Sequence, residues 1–288
     1  MEITVDTKII PLIGKPLRHS LSSRMHTEAI RMGDLDYVRI PMEINKEYLG
    51  NVINGLRYMN VAGISITKPY KVEVIQYLDE LDELAEKIGA VNCIVNTKGR
   101  LKGYNTDGEG FVNALQQYTD YELKKTVFFC FGAGGAGKAI CSTLAYRGVK
   151  KIYITDQKDL YSDTLVKNIN KFFSPIAEQI PFTDILKIRD KIAEADIVMN
   201  VTGLGMFPDI SKTPIEKEFL KADQLAFDAT YNPIKTKFLQ DAESVGCKTI
   251  NGKGMLIHCG MMGFELYTGI KQSIDIWSEI MNKIIIEK

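Results

Sequence analysis

The sequence predicts a two-domain α/β protein, in which a Rossmann-type dinucleotide-binding domain is joined to a second α/β domain completed by C-terminal helices. Three observations carry this. Short apolar runs alternate with helical stretches along most of the chain. One run, Val127-Phe128-Phe129-Cys130-Phe131, feeds directly into Gly132-Ala133-Gly134-Gly135-Ala136-Gly137, which satisfies G-x-G-x-x-G. The last two helical stretches have no strand between them, so they return to cover the first domain. The 288 residues suffice for two domains of ordinary size. The predicted boundaries are 1–106 with 252–288 for one domain and 107–251 for the other.

The first domain opens with a strand over Lys8–Ile13, broken by Gly14-Lys15-Pro16. Ser20, Ser22 and Ser23 then precede a helix through Ile30, with Met25, Ala29 and Ile30 at helical spacing. The serines either cap that helix or form a hydroxyl cluster for a polar ligand. A strand at 37–42, an amphipathic helix at 44–59 and a strand at 61–66 follow. Thr67-Lys68-Pro69-Tyr70-Lys71 comes next, with Pro69 suited to a first helical turn. Lys71 is then either a solvated first-turn residue or a group at the end of a strand, where ligands of open sheets collect.

An acidic helix is expected over 78–88 and a strand over 90–95. Asn92 lies inside that apolar run and needs hydrogen-bond partners, in the fold or in a ligand. A short strand at 101–105 leads to Thr106-Asp107-Gly108 and a helix at 110–117, for which Asp107 is a candidate cap.

The apolar run at 127–131 reads as a strand buried on both faces. Gly132 serves the tight turn, Gly134 the approach of backbone to a pyrophosphate, and Gly137 the packing of helix on strand. The following helix aims its N–H groups at the phosphates. A parallel strand at 151–155 ends at Asp156, 19 residues after Gly137, where a ribose diol needs a carboxylate. A 2′-phosphate would be repelled there, and no arginine lies between Arg147 and Arg189, with Lys158 only a partial substitute. The expected cofactor is therefore NAD, with NADP possible. Helices at 160–172, 184–195 and 235–245 alternate with strands at 176–181, 196–201, 225–228 and 247–250. Thr202-Gly203-Leu204-Gly205 turns sharply, and Gly252-Lys253-Gly254 is a hinge candidate before helices at 255–267 and 273–285.

Acidic and basic residues number 36 each, so nothing points to nucleic acid or a membrane surface as partner. The five cysteines are odd in number and mostly set in apolar stretches, as in a reduced cytoplasmic protein. Three histidines and no C-x-x-C pair argue against a metal site, and no run reaches the length of a membrane span. A nicotinamide enzyme oxidising a secondary alcohol needs a base for the hydroxyl proton. Lys71 and Asp107 are better placed for this than any histidine. A lysine beside a cationic oxidised nicotinamide binds its proton less tightly, which suits base work.

His19-Ser20-Leu21-Ser22, Thr67-Lys68-Pro69-Tyr70-Lys71, Ala90-Val91-Asn92, Asn105-Thr106-Asp107-Gly108, the glycine loop at 132–137 and Gly252-Lys253-Gly254-Met255-Leu256 together resemble the shikimate and quinate dehydrogenase family. The resemblance spans nearly the whole chain, in order. It implies a site in the cleft between the domains, with Lys71 and Asp107 as catalytic pair. It implies Ser20, Ser22, Thr67, Asn92, Tyr231 and the Cys259 position around a cyclic polyol carboxylate. Gly132, Ala133, Gly134, Gly135, Ala136, Asp156, Thr202, Gly252 and Met255 would line the cofactor. The implied reaction is the reversible oxidation of one ring hydroxyl of shikimate or quinate to the 3-dehydro ketone, by a monomer or homodimer.

Four places depart from the family pattern. Ser65 stands for an asparagine, Ser23 for a proline and Cys259 for a glutamine that bonds the substrate. Asp156-Gln157 stands where NADP-dependent members tend to have asparagine and arginine, which favours NAD. The loss of the glutamine motivates a second reading, a non-catalytic or divergent-substrate relative that keeps the cofactor site.

Overall fold

A computed structural model describes residues 2–18 and 20–286. His19, which opens the serine motif, lies outside the described residues. The chain divides into two compact units, Met1–Gly110 with Leu256–Lys288, and Phe111–Met255.

Unit 1 contains β1 (Lys8–Gly14), α1 (Ser22–Met32), β2 (Tyr37–Glu43), α2 (Leu49–Arg57), β3 (Gly63–Ile66), β4 (Glu80–Leu81), α3 (Glu83–Ile88), β5 (Cys93–Thr97), β6 (Arg100–Tyr104) and the start of α4 (Asp107–Tyr118). Its six strands form one sheet in the order β2-β1-β3-β5-β6-β4. β1 runs parallel to β2 and β3, while β5 is antiparallel to both its neighbours. One face of the sheet buries Ile13, Ile64 and Ile66 with Leu49, Ile53 and Leu56 of α2. This is the i, i+4, i+7 stripe expected of an amphipathic helix.

The first half of the acidic helix expected at 78–88 does not form. Asp79 lies in a bend instead, its N–H donating to Leu101 O (2.9 Å) while its Oδ2 accepts from Leu101 N (2.7 Å). Asp82 then caps α3 by accepting from Leu84 N (3.1 Å), so the helix starts only at Glu83. Pro69 lies in an irregular turn followed by a 3-10 helix at Glu73–Tyr77, rather than in an α-helix.

Unit 2 contains the rest of α4, β7 (Val127–Phe131), α5 (Gly135–Tyr146), β8 (Lys151–Thr155), α6 (Asp159–Phe172), β9 (Ala177–Gln179), α7 (Ile185–Glu194), β10 (Ile197–Asn200), β11 (Leu225–Asp228), α8 (Lys237–Val245), β12 (Lys248–Asn251) and the first turn of α9 (Lys253–Thr268). Its sheet is parallel throughout, in the order β9-β8-β7-β10-β11-β12. With β7 as the first strand, this is the doubly wound order 3-2-1-4-5-6, whose chain reversal beside β7 is where dinucleotides bind. β7 sits at the centre with all five residues buried, as its unbroken apolar run requires. α9 and α10 (Ile274–Ile286) complete unit 1.

The hinge expected at Gly252-Lys253-Gly254 is mostly helical. Asn251 Oδ1 accepts from Lys253 N (3.1 Å), so α9 begins at Lys253. Both unit boundaries fall inside helices, α4 and α9.

A Cβ on Gly137 would collide with the Gly132 carbonyl, and neither group belongs to a flexible side chain. Gly137→Ala is therefore expected to cost about 1–3 kcal/mol through overpacking, read as a lowered urea midpoint with an unchanged slope.

Candidate active site

Within unit 1 the chain brings Lys71, Asn92, Asp107 and Cys259 together. Thr67 N donates to Ile13 O (2.9 Å) as β3 ends, and the buried Tyr70 anchors the following turn through its hydroxyl to Ile44 O (2.6 Å). Lys71 is pinned from the other side, its carbonyl accepting from Val91 N (2.7 Å). Its Nζ then meets Asp107 Oδ2 at 2.5 Å, with the two side chains 19% and 10% exposed.

Asp107 does not serve as the cap of α4. Its second oxygen accepts from Asn92 Nδ2 (2.8 Å), while Asn105 Oδ1 accepts from the Asp107 N–H (3.0 Å) and so satisfies the helix start. Asn92 is fully engaged, donating also to Thr106 Oγ1 (3.0 Å) and accepting from Thr106 N (2.9 Å). An ion pair so far out of water contributes little net stability, because desolvation offsets the Coulomb gain. What it does provide is a lysine amine held in one orientation by an anchored carboxylate.

Cys259, on α9, lies close enough for Asp107 and Lys71 to act on its thiol. Burial, with the Asp107 carboxylate, pushes its pKa well above the usual thiol range. The neutral thiol donates to Thr106 O (3.3 Å), so its one hydrogen is committed within the protein.

The serines do not cap α1. The cap position is Leu21, and among the described residues no side chain bonds the helix start there. Ser20, Ser22 and Thr67 are all part-exposed, and Ser22 Oγ accepts from Arg39 Nη2 across 3.4 Å. Beneath them lie three groups that the sequence reading did not single out. Tyr267 bonds Ser65 through its hydroxyl (2.8 Å), and His26 and Arg39 are both buried. In Tyr37-Val38-Arg39-Ile40, alternation sets Arg39 on the face opposite Val38 and Ile40, so no signal in the sequence marks it as buried.

His26 is enclosed by Trp277, Tyr267 and Phe264, with Arg39 nearby. Burial, reinforced by the Arg39 charge, lowers its pKa from 6.5 to about 3, against a bond from Nδ1 to Ser22 O (2.8 Å). The folded state thus refuses a proton that the unfolded chain takes up below pH 6.5. Its share of stability is complete above that pH and declines toward pH 3. At pH 5 the loss is about 2 kcal/mol. Unfolding free energies from urea titrations should fall between pH 7 and pH 5 by about 2 kcal/mol more in the wild type than in His26→Gln.

In unit 2, Gly132 turns the chain at φ +108°. Gly134 is exposed, and a Cβ there would meet no described protein atom, so packing does not demand glycine at that position. A ligand resting on the backbone would. Asp156 is fixed by two N–H donors, Ala133 to Oδ2 (2.7 Å) and Lys158 to Oδ1 (2.9 Å). Gly132, Gly134, Asp156, Tyr161, Phe182 and Thr202 line a cavity of about 350 Å³. Thr202 is held by its hydroxyl bond to Asn200 Oδ1 (2.7 Å). Gly135 and Ala136 form the first turn of α5 beside this cavity. Gly252 donates to Thr230 O (3.0 Å), Met255 is buried, and Tyr231 lies half-buried on the turn after β11. A dinucleotide fits the glycine turn, the carboxylate and the cavity.

A doubly wound domain with this cradle, joined to an α/β domain carrying an oriented lysine, defines the class: a dinucleotide-dependent oxidoreductase. The model of the shikimate dehydrogenase substrate-binding domain matches residues 12–94. The shikimate dehydrogenase (NADP(+)) of Halothermothrix orenii is 40% identical over 94% of this chain and 94% of its own. The shikimate 5-dehydrogenase of Listeria monocytogenes, solved with shikimate and NAD, superposes with a TM-score of 0.91 at 38% identity, covering 98% of each chain. A quinate dehydrogenase from Corynebacterium glutamicum, solved with NAD, gives 0.87 at 29% identity over 97% of this chain and 99% of that one. The chain belongs to the shikimate dehydrogenase family and is an oxidoreductase. These relatives lend no support to a non-catalytic reading.

Proposed function

We propose that this enzyme oxidises one ring hydroxyl of shikimate, or of the related acid quinate, to the 3-dehydro ketone, reversibly and with preference for NAD. The observation that carries the reading is the Lys71–Asp107 contact of 2.5 Å, braced by Asn92. Lys71 Nζ takes the proton of the reacting hydroxyl and returns it in the reverse direction. Asp107 holds the amine in line and balances its charge when protonated. Bound NAD(P)⁺ supplies the acceptor for the hydride. Ser20, Ser22 and Thr67 offer part-exposed hydroxyls for the carboxylate and ring hydroxyls of the substrate, and Tyr231 is assigned to the same ligand.

Cys259 leaves the pocket without the glutamine's donor, which favours tolerance at that ring position over tight discrimination. Asp156 supports NAD, because two charge-assisted bonds to a ribose diol would become repulsion toward a 2′-phosphate. Among the described residues no arginine lines that cavity to offset the repulsion. The relatives carry both cofactors in their names, so the preference rests on this chain's own residues. Five free cysteines accord with a reducing, cytoplasmic setting. No described helix is long and apolar enough to cross a membrane.

The test is a steady-state assay of nicotinamide reduction, crossing shikimate and quinate with NAD and NADP. Turnover with NAD well above that with NADP supports the reading, and the faster acid identifies the substrate. Absence of turnover in all four combinations, with NAD still bound, overturns it.

A further inference from the structure

Arg39 is the side chain in unit 1 that stability accounts for least. Strand register sets it opposite Ile10, on the sheet face that also carries Leu12, Ser65 and Cys93. It is 7% exposed, and no carboxylate among the described residues pairs with it. Among the described residues its Nε and Nη1 have no hydrogen-bond partner, and neither has Nε2 of the buried His26 nearby. The remaining neighbours are neutral: the Tyr267 phenol and the Cys93 thiol, whose own protons burial holds more tightly than usual. Burial lowers the affinity of the guanidinium for its own proton, to a pKa of about 10. A cation in such a place destabilises a fold, and an apolar side chain of similar volume often improves it.

Arg39 Nη2 donates to Ser22 Oγ (3.4 Å). Ser22 is part-exposed and opens α1, a helix of 11 residues whose start no described side chain caps. A hydroxyl that accepts from a guanidinium keeps its own O–H for an outward acceptor, and the charge behind it strengthens that donation. The unbalanced positive charge, the helix start and the part-exposed hydroxyl all favour the same ligand, an anion.

We propose that Arg39 is the buried counter-charge of the substrate site: acting through Ser22, it positions and polarises the hydroxyl that receives the substrate carboxylate, and so selects ring acids over their neutral analogues. This rests on the reading of Ser22 as a carboxylate ligand given above. Arg39 is a positioning residue and does not touch the substrate itself.

The experiment is calorimetric titration of the full chain, with NADH bound so that no hydride transfer can occur, by shikimate and by its methyl ester. It compares wild type, Arg39→Lys, Arg39→Met and Ser22→Ala, with thermal midpoints recorded for each. Wild type is expected to prefer the acid by roughly 10- to 100-fold, the range of a hydrogen bond to a charged group. In Arg39→Met the preference falls to near unity while the thermal midpoint holds or rises, a combination that a merely structural arginine would not give. Arg39→Lys keeps most of the preference, and Ser22→Ala loses it with the guanidinium still in place. An undiminished acid preference in folded Arg39→Met, or in Ser22→Ala if Arg39→Met does not fold, overturns the proposal. Wild type that binds acid and ester equally overturns the counter-charge alone. Wild type that binds neither, yet binds NADH, overturns the substrate class together with it.

Discussion

Lys71→Ala is expected to lower kcat by about 10²- to 10⁴-fold, the usual contribution of a positioned general acid-base group. The effect should fall chiefly on turnover, because the lysine's part is in proton transfer. The geometry gives the substitution a second consequence. Asp107 would lose the cation at its Oδ2 while keeping Asn92 at Oδ1. A carboxylate left partly buried without its partner destabilises the fold, by up to about 3–5 kcal/mol where burial is complete. A thermal melt must therefore accompany the kinetics. Folded Lys71→Ala protein that binds NAD normally and turns over at near wild-type rate would remove the lysine from the mechanism. Asp107→Asn should also lose turnover, since an amide can neither balance nor orient the protonated amine in the same way.

Asp156→Ala is expected to shift the ratio of kcat/KM for NAD over NADP downward by about 10- to 100-fold. Two contributions act in the same direction. Removing the carboxylate deletes charge-assisted bonds to the ribose hydroxyls, worth about 1.5–3 kcal/mol each. It also removes the negative charge that repels a 2′-phosphate, beside a Lys158 amine that now stacks on Tyr161 (5.1 Å) and lies within reach. The ratio is the proper readout, because the substitution also frees the Ala133 and Lys158 N–H groups and loosens the glycine turn for both cofactors alike. An unchanged ratio would mean that some other group sets the preference.

The glycine unit was legible because its information is local. A buried strand, a left-handed turn, a close helix approach and a terminal acid occupy consecutive positions, and each imposes its own residue type. Strands at 127–131, 151–155 and 225–228 were accordingly predicted to the residue. The acidic segment at 78–82 is not helical because the long-range bonds of Asp79 to Leu101, which no window on the sequence contains, override its helix propensity. The same holds for Asp107, whose position at a helix start suggested a cap until its oxygens were found on Lys71 and Asn92.

By itself, then, the sequence determined the α/β class, the doubly wound cofactor unit and the residue types available for acid-base chemistry, since periodicity and turn chemistry are written along the chain. Only the tertiary structure decided which of them meet: that Asn92 braces Asp107, that the Cys259 hydrogen is committed to Thr106, and that Arg39 lies buried behind Ser22 with no carboxylate among the described residues beside it. Burial and pairing across dozens of residues depend on how sheet register and helix packing fold distant segments onto one another, and that is a property of the assembled core.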